Sequence, residues 1–201
     1  LEMNGKTEQE FTIRPATAED VPGLLELIEL SVRGLQTNDY SPTQIDASIG
    51  SAFGVDRQLI ADQTYFVATP VDEPTKFVAC GGWSYRSTLC GSDAMTVTHG
   101  GVERSASTLD ATKDFAKIRA IFVHPAWARR GLGTRVLEHA EGAAKAAGFT
   151  RLEMGSTLTG RALYKLKGYI ERERADVPLP NGEDLQIIRM EKVLIEQDSK
   201  D

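Results

Sequence analysis

Ile121-Phe122-Val123-His124-Pro125-Ala126-Trp127-Ala128-Arg129-Arg130-Gly131-Leu132-Gly133-Thr134 carries an apolar strand into a proline, a short basic loop and two glycines one residue apart. An amphipathic helix follows, with Leu132, Val136, Leu137, Ala140, Ala143, Ala144 and Ala147 on one stripe and Gly148 as its C-cap. The first backbone N–H groups of a helix have no partner inside it, and the helix dipole adds partial positive charge there. Glycines admit a phosphate to the main chain, and Arg129 and Arg130 place two full positive charges beside it. The stretch reads as a pyrophosphate seat, the alternative being a plain strand–loop–helix connection. Other phosphate loops fit poorly. The dinucleotide fingerprint needs a third glycine where Gly131-Leu132-Gly133-Thr134-Arg135-Val136 ends in valine, and the full Walker pattern is absent.

Composition bounds what surrounds this seat. The 201 residues suit one domain, and 41% apolar with 26% charged residues is ordinary for a globular chain. A net charge of −6 argues against nucleic acid as a partner. Cys80 and Cys90 make neither a disulfide framework nor a zinc site, and His99, His124 and His139 show no metal-ligand spacing with them, so no metal is expected. No apolar run approaches the about 18–20 residues of a membrane span, and no signal-peptide core opens the chain. No membrane association is expected, and the cytoplasm is the expected compartment.

Phe11-Thr12-Ile13-Arg14 alternates as an edge strand stopped by Pro15. Thr17 with Asp20 caps a helix marked by Val21, Leu24, Leu25, Leu27, Ile28 and Val32, and Ser41-Pro42-Thr43-Gln44 is a stronger capping box opening a helix to about Phe53. Strands over Thr64–Ala68 and Phe77–Tyr85 should form a hairpin, with Gly81 and Gly82 marking a bulge or a close approach. Apolar periodicity fades from about residue 86 to 114, which reads as a loop insertion, either a lid carrying His99 or a plain surface loop. Phe115–Val123 is the strand that feeds the glycine turn. Beyond the main helix come a strand at Arg151–Ser156, a short helix from Arg161 to about Lys167, and two strands joined by an Asn181-Gly182 turn. That order gives one α/β domain over residues 11–193, a mixed, mostly antiparallel sheet flanked by helices, with loose tails at 1–10 and 194–201.

Several of these segments resemble the GCN5-related N-acetyltransferases. Gly131 and Gly133 match their coenzyme A loop, R/Q-x-x-G-x-G/A, while Ala128 stands where Arg or Gln is usual. Ala162-Leu163-Tyr164-Lys165-Leu166-Lys167-Gly168-Tyr169 is similar to their a-x-x-F/L-Y-x-x-x-G-F/Y segment at the usual separation. Arg14-Pro15-Ala16-Thr17 opening the first helix and Gly82-Trp83 in the hairpin also match, as does the element order. Thr157 replaces the usual Asn seven residues before the tyrosine, and Thr157-Leu158-Thr159-Gly160 resembles a subgroup with A-T-L-x-G.

The resemblance implies acetyl-CoA as co-substrate and direct attack by the primary amine of a small molecule or peptide in a ternary complex. It implies cofactor contacts from the main chain of Ile121, Phe122 and Val123, from Arg129, Arg130, Gly131, Leu132, Gly133 and Thr134, and from the Thr157 hydroxyl. Main-chain N–H groups near Phe122 and Val123 would polarise the thioester carbonyl. Tyr164 would protonate the departing thiolate, the alternative being a packing tyrosine. Tyr40, between the first two helices, is a substrate-contact candidate. The strand glutamate that serves many relatives as base is Lys117 here, leaving Asp114, Glu103, His99 and Asp184 as unranked candidates. Arg119, two residues along on the same face, would suit a carboxylate-bearing acceptor. A shared edge strand would allow a homodimer. The rival functions are a catalytically silent acyl-CoA-binding module and an enzyme of this fold with another acyl donor or an O-acceptor.

Overall fold

The computed structural model describes residues 10–87 and 107–194. Phe11–Pro15 (β1) turns through a 3-10 segment, Ala18–Asp20, into Val21–Leu35 (α1). Pro42–Ser48 (α2) and Arg57–Ala61 (α3) precede the antiparallel pair Tyr65–Pro70 (β2) and Ala79–Ser84 (β3). Ala116–Val123 (β4) leads to Leu132–Ala146 (α4), then Arg151–Thr157 (β5), Arg161–Leu166 (α5), Ile170–Pro178 (β6) and Asp184–Val193 (β7). The seven strands form one sheet in the order β1-β2-β3-β4-β5-β7-β6, antiparallel except between β4 and β5. The mixed, mostly antiparallel sheet with helices on both faces is the expected fold.

Strand alternation divides the core. Tyr65, Val67, Cys80 and Phe122 face Leu24, Leu27, Ile28 and Val32 of α1, while Phe66, Trp83, Ile118 and Leu152 face Leu137, Ala140 and Ala144 of α4. Both capping boxes form. Ser41 Oγ accepts from Gln44 N–H at 3.1 Å, and Asp20 accepts from Thr17 N–H at 2.8 Å. Arg14 forks onto the Asp20 carboxylate at 2.7 and 2.9 Å, and this hydrogen bonding holds the carboxyl below its ordinary value. A carboxyl depressed in the folded state stabilises the fold above its unfolded pKa, near about 4, and that stability is lost as pH falls through the lower folded value. Asp20→Asn is therefore expected to cost roughly 1–2 kcal/mol at pH 7 and less at pH 3, as read by urea denaturation at each pH.

Two elements differ from expectation. The second helix ends at Ser48, because Ile49 leaves the helical region and Gly50 turns at φ +78°. The five-residue α3, capped by Asp56, is too short to show a period in the sequence. Both readings of the glycine pair hold. Cys80 faces Phe122 but Gly82 faces Arg119, so β4 carries an extra residue in a bulge at Ala120–Ile121. A Cβ at Gly81 would lie 2.4 Å from the Ile121 side chain, and one at Gly82 would lie 2.2 Å from the Thr64 carbonyl. Ala120 itself sits at φ +52°, its carbonyl held by the buried Tyr65 hydroxyl at 3.2 Å. Of the expected insertion at 86–114, residues 88–106 lie outside the described residues, as do the tails at 1–9 and 195–201. Among the described residues no helix is long and apolar enough to cross a membrane.

Candidate active site

β4 and β5 pair at only two positions, Ala116↔Leu152 and Lys117↔Glu153. Past Lys117 the bulge carries β4 away from its neighbour, and a cleft opens between the strands. Arg119, Ala120, Ile121 and Phe122 line one wall, Gly155 and Thr157 of β5 the other, and Tyr164 of α5 flanks it. Gln36, Ala52, Phe53 and Gly54, from the end of α1 and the loop before α3, close the far side of about 600 Å³ of empty space, open solvent included.

β4 continues beyond the cleft into a 3-10 turn, Pro125–Trp127, and the glycine loop. Gly131 is the N-cap of α4 at φ +81°, a left-handed conformation suited to glycine, and a Cβ there would meet nothing within 4 Å. The first intrahelical bond runs from Arg135 N–H to Gly131 C=O at 3.0 Å, leaving the N–H groups of Leu132, Gly133 and Thr134 without helical acceptors. A Cβ at Gly133 would approach Leu163 at 3.3 Å and Val123 at 3.5 Å, so the turn is tight inside and open outside. Arg129 and Arg130 are exposed, and the Arg130 guanidinium lies 4.8 Å from the Trp127 ring centroid. An open concavity of main-chain donors flanked by two cations fits a diphosphate.

Tyr164 lines the cleft, and burial raises its pKa, so the phenol stays protonated at neutral pH. Thr157 Oγ1 accepts from Gly160 N–H at 3.1 Å, which uses a lone pair and keeps the hydroxyl proton for donation. Ile121 and Phe122 face the cleft, but the Val123 N–H donates to Ser31 Oγ of α1 at 3.2 Å, and Phe122 pairs with Cys80 in the β3–β4 ladder. The Val123 main-chain donor is therefore engaged by the fold, and the bulge at Ala120–Ile121 is the part of β4 outside the regular ladder.

Tyr40 is not among the residues that line the cleft. Its hydroxyl donates to Gln186 C=O at 2.7 Å and accepts from Leu158 N–H at 2.9 Å. Burial pushes its pKa up to about 12. Through these bonds to main chain of β7 and the β5–α5 loop, Tyr40 clips the loop between α1 and α2. Arg119 does line the cleft, but its guanidinium pairs with Asp56 at 3.0 Å, both side chains almost fully buried. A cation already neutralised there has little to offer an acceptor carboxylate. Lys117 is also buried, ion-paired to Glu153, and burial lowers its pKa. Of the base candidates, His99 and Glu103 lie outside the described residues. Asp114 bonds the Asp110 N–H at 2.7 Å, and Asp184 begins β7; neither lines the cleft.

The sequence reading missed Gln36, Asp56 and Ser31. Asp56 precedes Arg57-Gln58-Leu59 and caps α3 through Gln58 N–H at 3.1 Å, a signal that a search for short caps would find. Gln36 and Ser31 carry no pattern. Among the described residues no group of three or more His, Cys, Asp or Glu side chains is placed to hold a metal ion.

Solved structures share this fold. A structure of a GCN5-related N-acetyltransferase from Rhodopseudomonas palustris superposes at a TM-score of 0.64 with 22% identity, covering 91% of this chain and 95% of that one. PaiA N-acetyltransferase from Thermoplasma acidophilum, in complex with coenzyme A, gives 0.59 at 15% identity over 92% and 99% of the chains. Salmonella typhimurium YncA, solved with its cofactor acetyl-CoA, gives 0.53 at 16% identity over 95% and 98%. These likenesses establish the fold. No curated protein matches the sequence. The family model of the Acetyltransferase (GNAT) family matches residues 39–169, which span the cleft, the glycine turn and Tyr164, and on that match this chain belongs to the GNAT acetyltransferase family.

Proposed function

We propose that the protein is an acetyl-CoA-dependent N-acetyltransferase, passing the acetyl group to a primary amine of a small molecule or peptide within a ternary complex. The observation that carries it is that β4 lines the cleft over Arg119–Phe122 and leads on to the open turn at Gly131, with Gly133 packed near Leu163, the neighbour of the protonated Tyr164 in the cleft wall. The neighbours bound to coenzyme A and acetyl-CoA support the choice of co-substrate.

When bound, acetyl-CoA supplies an activated thioester carbonyl and a thiol leaving group. The chain's own residues do the rest. Leu132, Gly133 and Thr134 offer main-chain N–H groups to phosphate, with Arg129 and Arg130 outside them. Thr157 offers its hydroxyl within the cleft. The bulged main chain at Ala120–Ile121 is the place for a donor aimed at developing negative charge on the carbonyl oxygen, a contribution of about 3–4 kcal/mol where such donors are preformed. Holding both reactants in one narrow cleft supplies proximity, worth up to about 7–11 kcal/mol for well-aligned groups. Tyr164 holds a proton for the leaving sulfur. No described side chain on the cleft walls is a carboxylate or an imidazole, so these walls suit an amine that enters in its neutral form.

Steady-state kinetics with acetyl-CoA and an amine panel tests this directly. Tyr164→Phe is expected to lower kcat by roughly 10- to 100-fold at constant amine KM, the lower end of the general-acid range because a thiol is a good leaving group. Cofactor binding without turnover in the wild type would favour the silent binding module instead.

A further inference from the structure

Gln36 closes α1, and its main chain is fully committed. Its N–H donates to Val32 C=O at 3.2 Å, and its C=O accepts from Asp39 and Tyr40 N–H, each at 3.1 Å. The Tyr40 clip fixes the same turn from the other side. Gln36 lines the cleft, and the residue is 5% exposed. Its Oε1 is buried with no hydrogen-bond partner among the described residues. Buried amides are almost always bonded, and leaving one unmade is costly. An unbonded amide in the wall of a substrate cleft is a group kept for a ligand. Its last torsion is soft, so the oxygen turns toward the cleft without repacking the stem.

The surroundings select the ligand's chemistry. Ala52, Phe53 and Gly54 lie beside Gln36, and Phe53 meets Phe122 edge to face at 5.9 Å between centroids. Arg119, the charged residue on these walls, is held by Asp56. The far side of the cleft thus presents apolar surface, a neutralised cation and one neutral carbonyl acceptor. An ammonium ion finds no anion on the walls. A neutral amine finds an acceptor for one N–H while its lone pair stays available for attack. We propose that Gln36 is the acceptor-positioning residue: its side-chain carbonyl accepts a hydrogen bond from the attacking amine, whose attached body is apolar. The assignment rests on the acetyl-transfer reading above.

The test uses the full chain at pH 9, with acetyl-CoA and two amine probes, 2-phenylethylamine and a lysine-containing peptide. Gln36→Leu keeps the side chain's bulk and removes the acceptor, and Gln36→Met serves if leucine folds poorly. The expected result has three parts: amine KM at least tenfold higher, acetyl-CoA Kd unchanged, and a thermal midpoint equal to or above the wild type, because no bond to the fold is lost. The arylalkylamine should be used better than the peptide. An unchanged amine KM would overturn the role of Gln36, and a lowered midpoint would show that the amide serves the fold. Wild-type protein that binds acetyl-CoA but acetylates neither probe would overturn the transfer reading itself, a failure seen before any variant is made.

Discussion

Arg119→Leu is expected to cost about 3–5 kcal/mol of folding stability, a large share of the about 5–15 kcal/mol of a typical domain. The Arg119 and Asp56 side chains are 3% and 2% exposed and lie 3.0 Å apart. Removing the guanidinium leaves a buried carboxylate that still accepts from the N–H groups of Gln58 and Leu59 at 3.1 and 3.4 Å. The penalty comes from that uncompensated charge more than from the lost attraction. Arg119→Leu combined with Asp56→Asn should therefore recover part of the loss, since asparagine can still cap α3. Urea denaturation of the wild type, both single variants and the double variant checks the cycle. Additive losses would show that the two residues act separately.

Gly131→Trp is expected to weaken acetyl-CoA binding by about 100-fold or more while the protein stays folded. A non-glycine residue at φ +81° is strained by roughly 1–3 kcal/mol, which a domain of this size tolerates. The added Cβ meets no atom within 4 Å, so the side chain starts into open space. It fills the open side of the turn, where Leu132, Gly133 and Thr134 present their N–H groups. Losing two hydrogen bonds to a charged group, at roughly 1.5–3 kcal/mol each, gives the stated factor or more. Gly131→Ala separates the effects, because it carries the backbone strain without the bulk. Circular dichroism and calorimetric titration of both variants read fold and affinity in parallel.

The glycine turn was legible because its chemistry is local. Strand, proline, arginines and glycines occupy fourteen consecutive residues, and the helix after them has enough length for its stripe to show. The capping boxes at Thr17 and Ser41 were legible for the same reason. The far side of the cleft was not. Gln36, Phe53, Asp56 and Arg119 meet only after the sheet has brought α1, α3 and β4 together, and no spacing along the chain encodes that. Arg119 reads from the sequence as a strand residue suited to an acceptor, because its partner Asp56 caps a helix of five residues that periodicity cannot detect. Tyr40 drew attention as a loop tyrosine near the acceptor side, yet its hydroxyl is spent on main-chain groups more than a hundred residues away. Val123 shows the same limit: the serine that takes its N–H lies on the first helix.

Isothermal titration of the wild-type chain with acetyl-CoA, with NADH as a control, tests the seat at Gly131 most directly. Saturable one-to-one binding of acetyl-CoA and none of NADH is the expected result. Folded protein that binds no acetyl-CoA would contradict the account, because the turn, the arginines and the cleft would then share the architecture of an acetyltransferase without its co-substrate.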